Sequence, residues 1–455
     1  MIKGGNKLNN LELCNDLIER ALRMGAKDAE VFYVKSRTLG AVFEKNDLQV
    51  PKGDNYEGIG IRVHLGGTKG VRQGFAATNV LSSRSLHSTL ATAIAIAQAS
   101  PEDPYHWMPE PSAVESVSGI YDKTAEAIGL QDVVKQGALL VDTAHSFDPR
   151  VTLDSAQYAV EILEKTIVNS KGIRLQEKSS IFTCIGAGFA RDGDEVSSFD
   201  AEIAIKCQQD EIDAAATGIR LAKKVISSLG ATTVPSFKGD VIIAPSAALE
   251  LVADPISFAC DAQNIQSGRS KWANQLGSAV MSPLMSVTDD PRIPGAAGST
   301  SFDREGVSPI TLQVVDEGVL NHYLYNCYTA RKDGLASNGR AAGQDYTIPT
   351  ISTTNFIIAP GQHSLDDMIG MCSKGLLVNR FSGNVDRVSG DFSGVVKGGH
   401  YIKAGKVVCP VKEVMIAGNI YALLKQVVTV SKEHIDVEGA RLPYIQIEGC
   451  SITGN

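Results

Sequence analysis

No histidine in this 455-residue chain is followed by glutamate. The eight, at 64, 87, 106, 145, 322, 363, 400 and 434, are scattered, with no H-x-H or H-x-x-x-H pair. A zinc site borne on one helix needs two imidazoles on one face and a glutamate beside them. That arrangement is excluded, and a metal would need ligands distant in sequence. No C-x-x-C pair occurs among the eight cysteines, which argues against a zinc knuckle or a thioredoxin-like centre. In a chain of this size they read as reduced thiols of a cytoplasmic protein, and Cys184, Cys260 and Cys327, set among apolar or small residues, as small hydrophobes. There is no dense basic run: 43 Lys and Arg against 51 Asp and Glu give a net charge of -8. Nucleic-acid affinity rests on phosphate neutralisation, so a nucleic-acid partner is not expected. No window approaches 18 apolar residues, and residues 1–10 carry no apolar core, so neither a membrane span nor secretion is expected.

What is present fits a soluble globular protein: 43% hydrophobic and 21% charged residues, long enough for two domains. Helical spacing over 11–25 ends at Gly25, a C-cap residue. Strands are predicted over 29–34, 39–44 and 58–64, the last alternating apolar residues with polar ones or glycine. The turn at 65–70 leads into 71–75 as a hairpin. A helix over 82–99 is stopped by Pro101 and Pro104, and an irregular stretch covers 101–118. A helix over 130–144 is followed by strands over 152–159, 166–169, 179–187 and 197–206, and by a helix over 210–229. Small residues, proline and glycine cluster at 230–239, dividing an N-terminal α+β domain (1–230) from a C-terminal β-rich domain (240–455). The second domain opens with a strand over 240–244 and a helical pattern from Ser246 that Pro255 interrupts. Strand-like runs follow (310–315, 356–359, 407–411), then a helix around 416–428. The fold class is α+β, with mostly antiparallel sheets and flanking helices.

Few segments suggest chemistry. Gly186-Ala-Gly188 lacks the third glycine and the helix start of a dinucleotide-binding turn, and reads as a glycine turn between strands. There is no G-x-S-x-G elbow, and no cysteine has a neighbouring histidine. Tyr325-Asn-Cys-Tyr-Thr-Ala-Arg-Lys-Asp-Gly334 with Ala336-Ser-Asn-Gly-Arg340 mixes aromatic, guanidinium and amide groups. That composition suits a grip on an extended peptide or its carboxylate, or else a polar loop around a buried tyrosine. Tyr328, Arg331, Asn338 and Arg340 are the candidate substrate-binding residues. In Asp289-Asp290-Pro291-Arg292-Ile293-Pro294-Gly295 a structural Asp290–Arg292 pairing is expected, the alternative being a contact with substrate. Pro410-Val-Lys-Glu413 leading to Met415-Ile-Ala-Gly-Asn419 reads as a core strand entering a helix, with Gly418-Asn419 as turn or cap.

Four signatures stand in order: Asp290-Pro-Arg-Ile-Pro-Gly295, Phe302-Asp-Arg-Glu-Gly-Val307, Tyr328-Thr-Ala-Arg-Lys332 and Pro410-Val-Lys-Glu-Val-Met-Ile-Ala-Gly-Asn419. With looser matches at Gly25-Ala-Lys-Asp-Ala-Glu30, Gly58-Ile-Gly-Ile-Arg-Val63 and Asn169-Ser170-Lys171-Gly172, the chain resembles the TldD/PmbA family. That family was once named for modulation of DNA gyrase and is better understood as a two-subunit metalloprotease. Its TldD type carries a His-Glu-x-x-x-His zinc helix, and its PmbA (TldE) type lacks it. The counterpart here is Ala253-Asp254-Pro255-Ile256-Ser257-Phe258, so the resemblance is to the PmbA type. It implies a cytoplasmic, non-catalytic subunit with no cofactor of its own, zinc being expected only in a TldD-type partner. It further implies pairing with that partner or with itself as a homodimer, and an unfolded or short peptide substrate lying near Tyr328, Arg331, Asn338 and Arg340. The alternatives are a stand-alone peptide-binding homodimer and a hydrolase with an unrecognised metal site or nucleophile.

Overall fold

The computed structural model of the protein describes residues 9–454. Two mostly antiparallel sheets with flanking helices make an α+β fold. The first sheet is built from long strands in the order Val71–Thr78, Lys52–Gly66, Asp28–Glu44, Val151–Asn169, Arg174–Asp192 and Asp200–Lys206. Alternation with period two gives it two different faces. In Asp28–Glu44 the side chains of Val31, Tyr33, Ala41 and Phe43 join helix-side cores, whereas Phe32 and Val34 pack the opposite way. The neighbouring strand repeats this: Ile59, Ile61 and Val63 face the helices, so Gly58, Gly60, Arg62 and His64 fall on the other face. Helices Asn10–Arg23 and Ser83–Ala99 cover one part of the apolar face, and Leu130–Phe147 and Ala214–Ser227 cover another.

The other face is not left to solvent. Loops and a short hairpin of the C-terminal half lie on it, and the glycines permit the approach. A Cβ on Gly58 would stand 2.1 Å from Asp345 Oδ2, and one on Gly60 2.0 Å from the Asp345 carbonyl oxygen. Phe302 completes this seam, packing with Phe32, Val34, Ile167 and Ile173.

The second sheet has 13 strands around the long C-terminal strand Ala440–Thr453. That strand pairs antiparallel with Phe237–Ile243, Val427–Val437 and Met415–Asn419, and parallel with Phe356–Ile358. The helical run over residues 245–260 packs into the second core through Leu251, Val252, Ile256 and Ala259.

Several expectations need correction. The segments 29–34 and 39–44 are one strand, and so are 152–159 and 166–169. Their polar middles stay extended because opposite charges pair across strands, with Lys35 set between Glu57 and Glu164. Gly186 and Gly188 lie inside the strand Arg174–Asp192 and not at a turn. A Cβ on Gly186 would press on Leu221 and Leu140, so its absence admits the helices. Pro255 does not interrupt its helix. The turn before it, Leu249–Ala253, widens to a π-helix in which Asp254 N–H reaches the Leu249 carbonyl. That wider turn relieves the clash a proline ring makes with the carbonyl four residues back. The late helix is short: Met415–Asn419 is a strand, Asn419 caps Ile420–Leu423, and a strand resumes at Val427. No described helix is long and apolar enough to cross a membrane.

Candidate functional site

The helical run over 245–260 carries the segment expected to correspond to a metal helix. Ala253 is only 3% exposed, inside the second core, while Asp254 is exposed and Phe258 half-buried. Residues five apart on an α-helix stand about 140° round from each other, so positions 253 and 258 point in different directions. Neither offers a ligand atom. Burial raises the carboxyls of Asp254 and of Glu250, the latter also through the charge of Asp254. Among the described residues no group of three or more His, Cys, Asp and Glu side chains is placed to hold a metal ion. These residues do not fit the family's zinc. All eight cysteines are free thiols, seven of them buried.

The four candidate residues divide into two pairs. Tyr328 and Arg331 lie on the helix Cys327–Lys332, which meets the irregular 101–118 stretch. The Tyr328 hydroxyl donates to Asp103 Oδ2 at 3.0 Å, and its ring centroid is 4.8 Å from that of His106. Arg331 is exposed and lies over the Trp107 ring, whose Nε1 donates to the Cys327 carbonyl at 2.8 Å. A cleft of about 390 Å³ opens here, lined in part by Lys27, Asp28, His106, Trp107, Glu110 and Arg331.

Asn338 and Arg340 are held by partners within the fold. Asn338 accepts the Tyr325 N–H at 2.8 Å and donates to the Tyr323 carbonyl at 2.8 Å. Arg340 is 1% exposed. Its Nε donates to Asp289, and its terminal nitrogens donate to the carbonyls of Asn338, Asp289 and Ile310. No donor nitrogen is left for a ligand. The Asp290–Arg292 pairing is also different: Asp290 accepts the Arg292 backbone N–H, while the guanidinium goes to the Glu115 carbonyl and Ser308 Oγ.

Sequence reasoning missed the partners at the seam. Glu30 and Arg62 are cross-strand neighbours on the first sheet, and Arg304 and Glu305 come from the Phe302-Asp-Arg-Glu-Gly-Val307 signature. Arg62 bridges Glu30 Oε2 at 2.6 Å and Glu305 Oε1 at 2.9 Å, and Arg304 reaches Glu30 Oε1 at 3.0 Å. Glu305 Oε2 also accepts the Cys327 N–H at 2.7 Å, tying the network to the Tyr328 helix. Burial would raise the Glu30 carboxyl, but Arg62 and Arg304 outweigh it and hold it below the usual range. The alternating Arg62 and His64 were the available signal, since polar side chains at every second position of a strand face either water or a second layer.

His64 is fully buried beside this network, with Nε2 3.2 Å from Gln73 Oε1 and Nδ1 unpartnered. Burial, with the Arg62 charge adding, pushes it down to about 4 from 6.5. An imidazole depressed in the folded state binds its proton in the unfolded chain first, so stability is present above pH 6.5 and is lost as pH falls from 6.5 to 4. The loss is about 3 kcal/mol by linkage. His64→Phe is expected to flatten that part of the stability curve, measured by urea midpoints across pH 4 to 7. An unchanged slope would show that His64 does not titrate differently in the two states.

Three matches span most of the chain: PmbA/TldA metallopeptidase domain 1 over residues 29–97, the central domain over 123–229 and the C-terminal domain over 236–454. The chain is 25% identical to the metalloprotease PmbA homolog of Haemophilus influenzae, over 96% of this chain and 94% of that one. It is 24% identical to metalloprotease PmbA of Escherichia coli O157:H7, over 83% of each. TldE from Thermococcus kodakarensis has the same fold, with a TM-score of 0.89 at 20% identity over 97% of this chain and all of that one. A Thermotoga maritima protein named for modulation of a DNA gyrase superposes with a TM-score of 0.87 at 22% identity, covering 97% and 99%. With all three domains of the family present in order, the chain belongs to the PmbA/TldD metallopeptidase family.

Proposed function

We propose that this chain is a PmbA/TldE-type non-catalytic subunit of a cytoplasmic TldD-type zinc metalloprotease that acts on unfolded or short peptides. One observation carries the reading. The helix corresponding to the zinc helix is intact and well packed, yet positions 253 and 258 hold alanine and phenylalanine, and Ala253 points into the core. A side chain without a donor atom cannot activate water through a metal. The chain's own contribution is then architectural: walls, an opening and contacts to an extended substrate, with the exposed Arg331 and the half-buried Tyr328 beside it as the members of the candidate set next to the cleft. Main-chain pairing with an extended segment tolerates many sequences, and enclosure keeps folded proteins out.

The test is to purify the chain alone and together with a TldD-type zinc subunit of the same organism. The expected result is a heteromer that cleaves an unstructured peptide, while this chain alone holds no stoichiometric zinc and cleaves nothing. About one zinc per chain with chelator-sensitive cleavage by this chain alone would overturn the reading. A self-dimer that binds peptide and ignores the zinc subunit would replace it with the stand-alone alternative.

A further inference from the structure

Phe258 occupies the second histidine position of the metal helix, and two guanidinium groups converge on it. Arg269 Cζ lies 5.3 Å and Arg387 Cζ 5.7 Å from the ring centroid. Both arginines are exposed, and among the described residues neither forms an ion pair or a side-chain hydrogen bond. The acidic groups around them feel the arginine charges but form no ion pair with them among the described residues. Asp261 caps the helix Ala262–Gln266 through the Gln263 N–H, and Asp386 accepts the N–H groups of Val388 and Ser389. Asp254 neighbours Arg387 on the same helix face as Phe258 and stays outside ion-pair distance.

A sheet edge beside this cluster has no second strand partner among the described residues. Arg387 follows the strand Arg380–Val385, which pairs only with Asp391–Lys397 among the described residues and so has a free edge. Ser382, Gly383 and Asn384 on it are exposed, and the strand packs against the Leu249–Ala253 turn of the metal helix. A free edge next to paired cations calls for an extended chain bearing negative charge.

We infer that Phe258, Arg269 and Arg387 form a guanidinium clamp for a side-chain carboxylate of an extended peptide pairing with the Arg380–Val385 edge. The inference rests on the peptide-handling reading above and gives it a substrate class: segments with Asp or Glu. The aromatic ring holds both guanidiniums by cation–π contact, and their planar donors match a carboxylate. Antiparallel addition, the more stable pairing, places the amino-terminal half of the peptide at the Val385 end, beside Arg387. The carboxylate is therefore a side chain and not the peptide's C-terminus.

The experiment uses the full chain and two fluorescent peptides of the same extended sequence, acetylated and amidated at their ends, one with Glu and one with Gln in the amino-terminal half. Fluorescence anisotropy is expected to show the Glu peptide binding about tenfold more tightly, which is about 1.4 kcal/mol. The double variant Arg269→Gln/Arg387→Gln is expected to bind both peptides with the affinity of the Gln form, its retained Gln-peptide binding serving as the check on folding. Equal affinities of the two peptides for the unaltered chain, no binding of either, or a preference that survives in the double variant would overturn the clamp. A heteromer with the zinc subunit that cleaves both peptides equally would sink the clamp and leave the subunit reading standing.

Discussion

Replacing Arg62 by methionine is expected to destabilise the fold by about 3–5 kcal/mol, because it leaves buried carboxylates without their cation. Among the described residues Arg62 is the only cation in ion-pair contact with Glu305, and it shares Glu30 with Arg304. Both carboxylates are about 1% exposed, so water cannot take the place of the guanidinium. The methionine chain fills most of the same space, so the loss reports charge and hydrogen bonding more than volume. The measurement is urea unfolding followed by tryptophan fluorescence. Trp107 sits at the seam and Trp272 in the second core, and these are the chain's two tryptophans. The expected signature is an early transition at the seam reporter. A change within about 0.5 kcal/mol, the range of ordinary surface substitutions, would show that the network contributes specificity and little stability.

The same network shows why some of the fold was legible in the sequence and some was not. Strands, their alternation and the antiparallel α+β class follow from local pattern, and Gly58-Ile-Gly-Ile-Arg-Val-His64 announces a strand without ambiguity. What lies on its second face is not local. Arg62 finds Glu305 from a segment 243 residues away, and the glycines make sense only once Asp345 lies across them. Arg340 shows the limit most clearly. An arginine in a Gly- and Asn-rich loop reads as a ligand grip, yet its partner Asp289 is 51 residues upstream and takes it fully into the interior. Tyr328 and Arg331 carried the same compositional signal and stay near a cleft, Tyr328 bonded to Asp103 and Arg331 stacked on Trp107 while remaining exposed. Pro255 misled for a different reason. Its local rule is sound, but one widened turn absorbs the conflict, and a π turn has no sequence signature of its own.

That widened turn also governs what happens if the ligands of the family's zinc motif are introduced. Ala253→His/Asp254→Glu/Phe258→His restores the family's metal letters and is expected to restore no zinc. Position 253 faces a core of Leu251, Val252 and Ile256, so the new imidazole points away from position 258 and overpacks the interior, at about 1–3 kcal/mol. Asp254→His/Phe258→His places the two imidazoles four residues apart on the exposed face, one turn above the other, with Glu250 close enough to have felt the Asp254 charge. Two nitrogens and a carboxylate at that spacing are a zinc donor set. Titration calorimetry with zinc is therefore expected to show binding to the second variant and none to the first, although only the first matches the family's catalytic motif. Zinc binding by the triple variant would mean that the helix rotates to present position 253 outward. Zinc binding would then turn on the side chains at these positions and not on the direction in which the helix is packed.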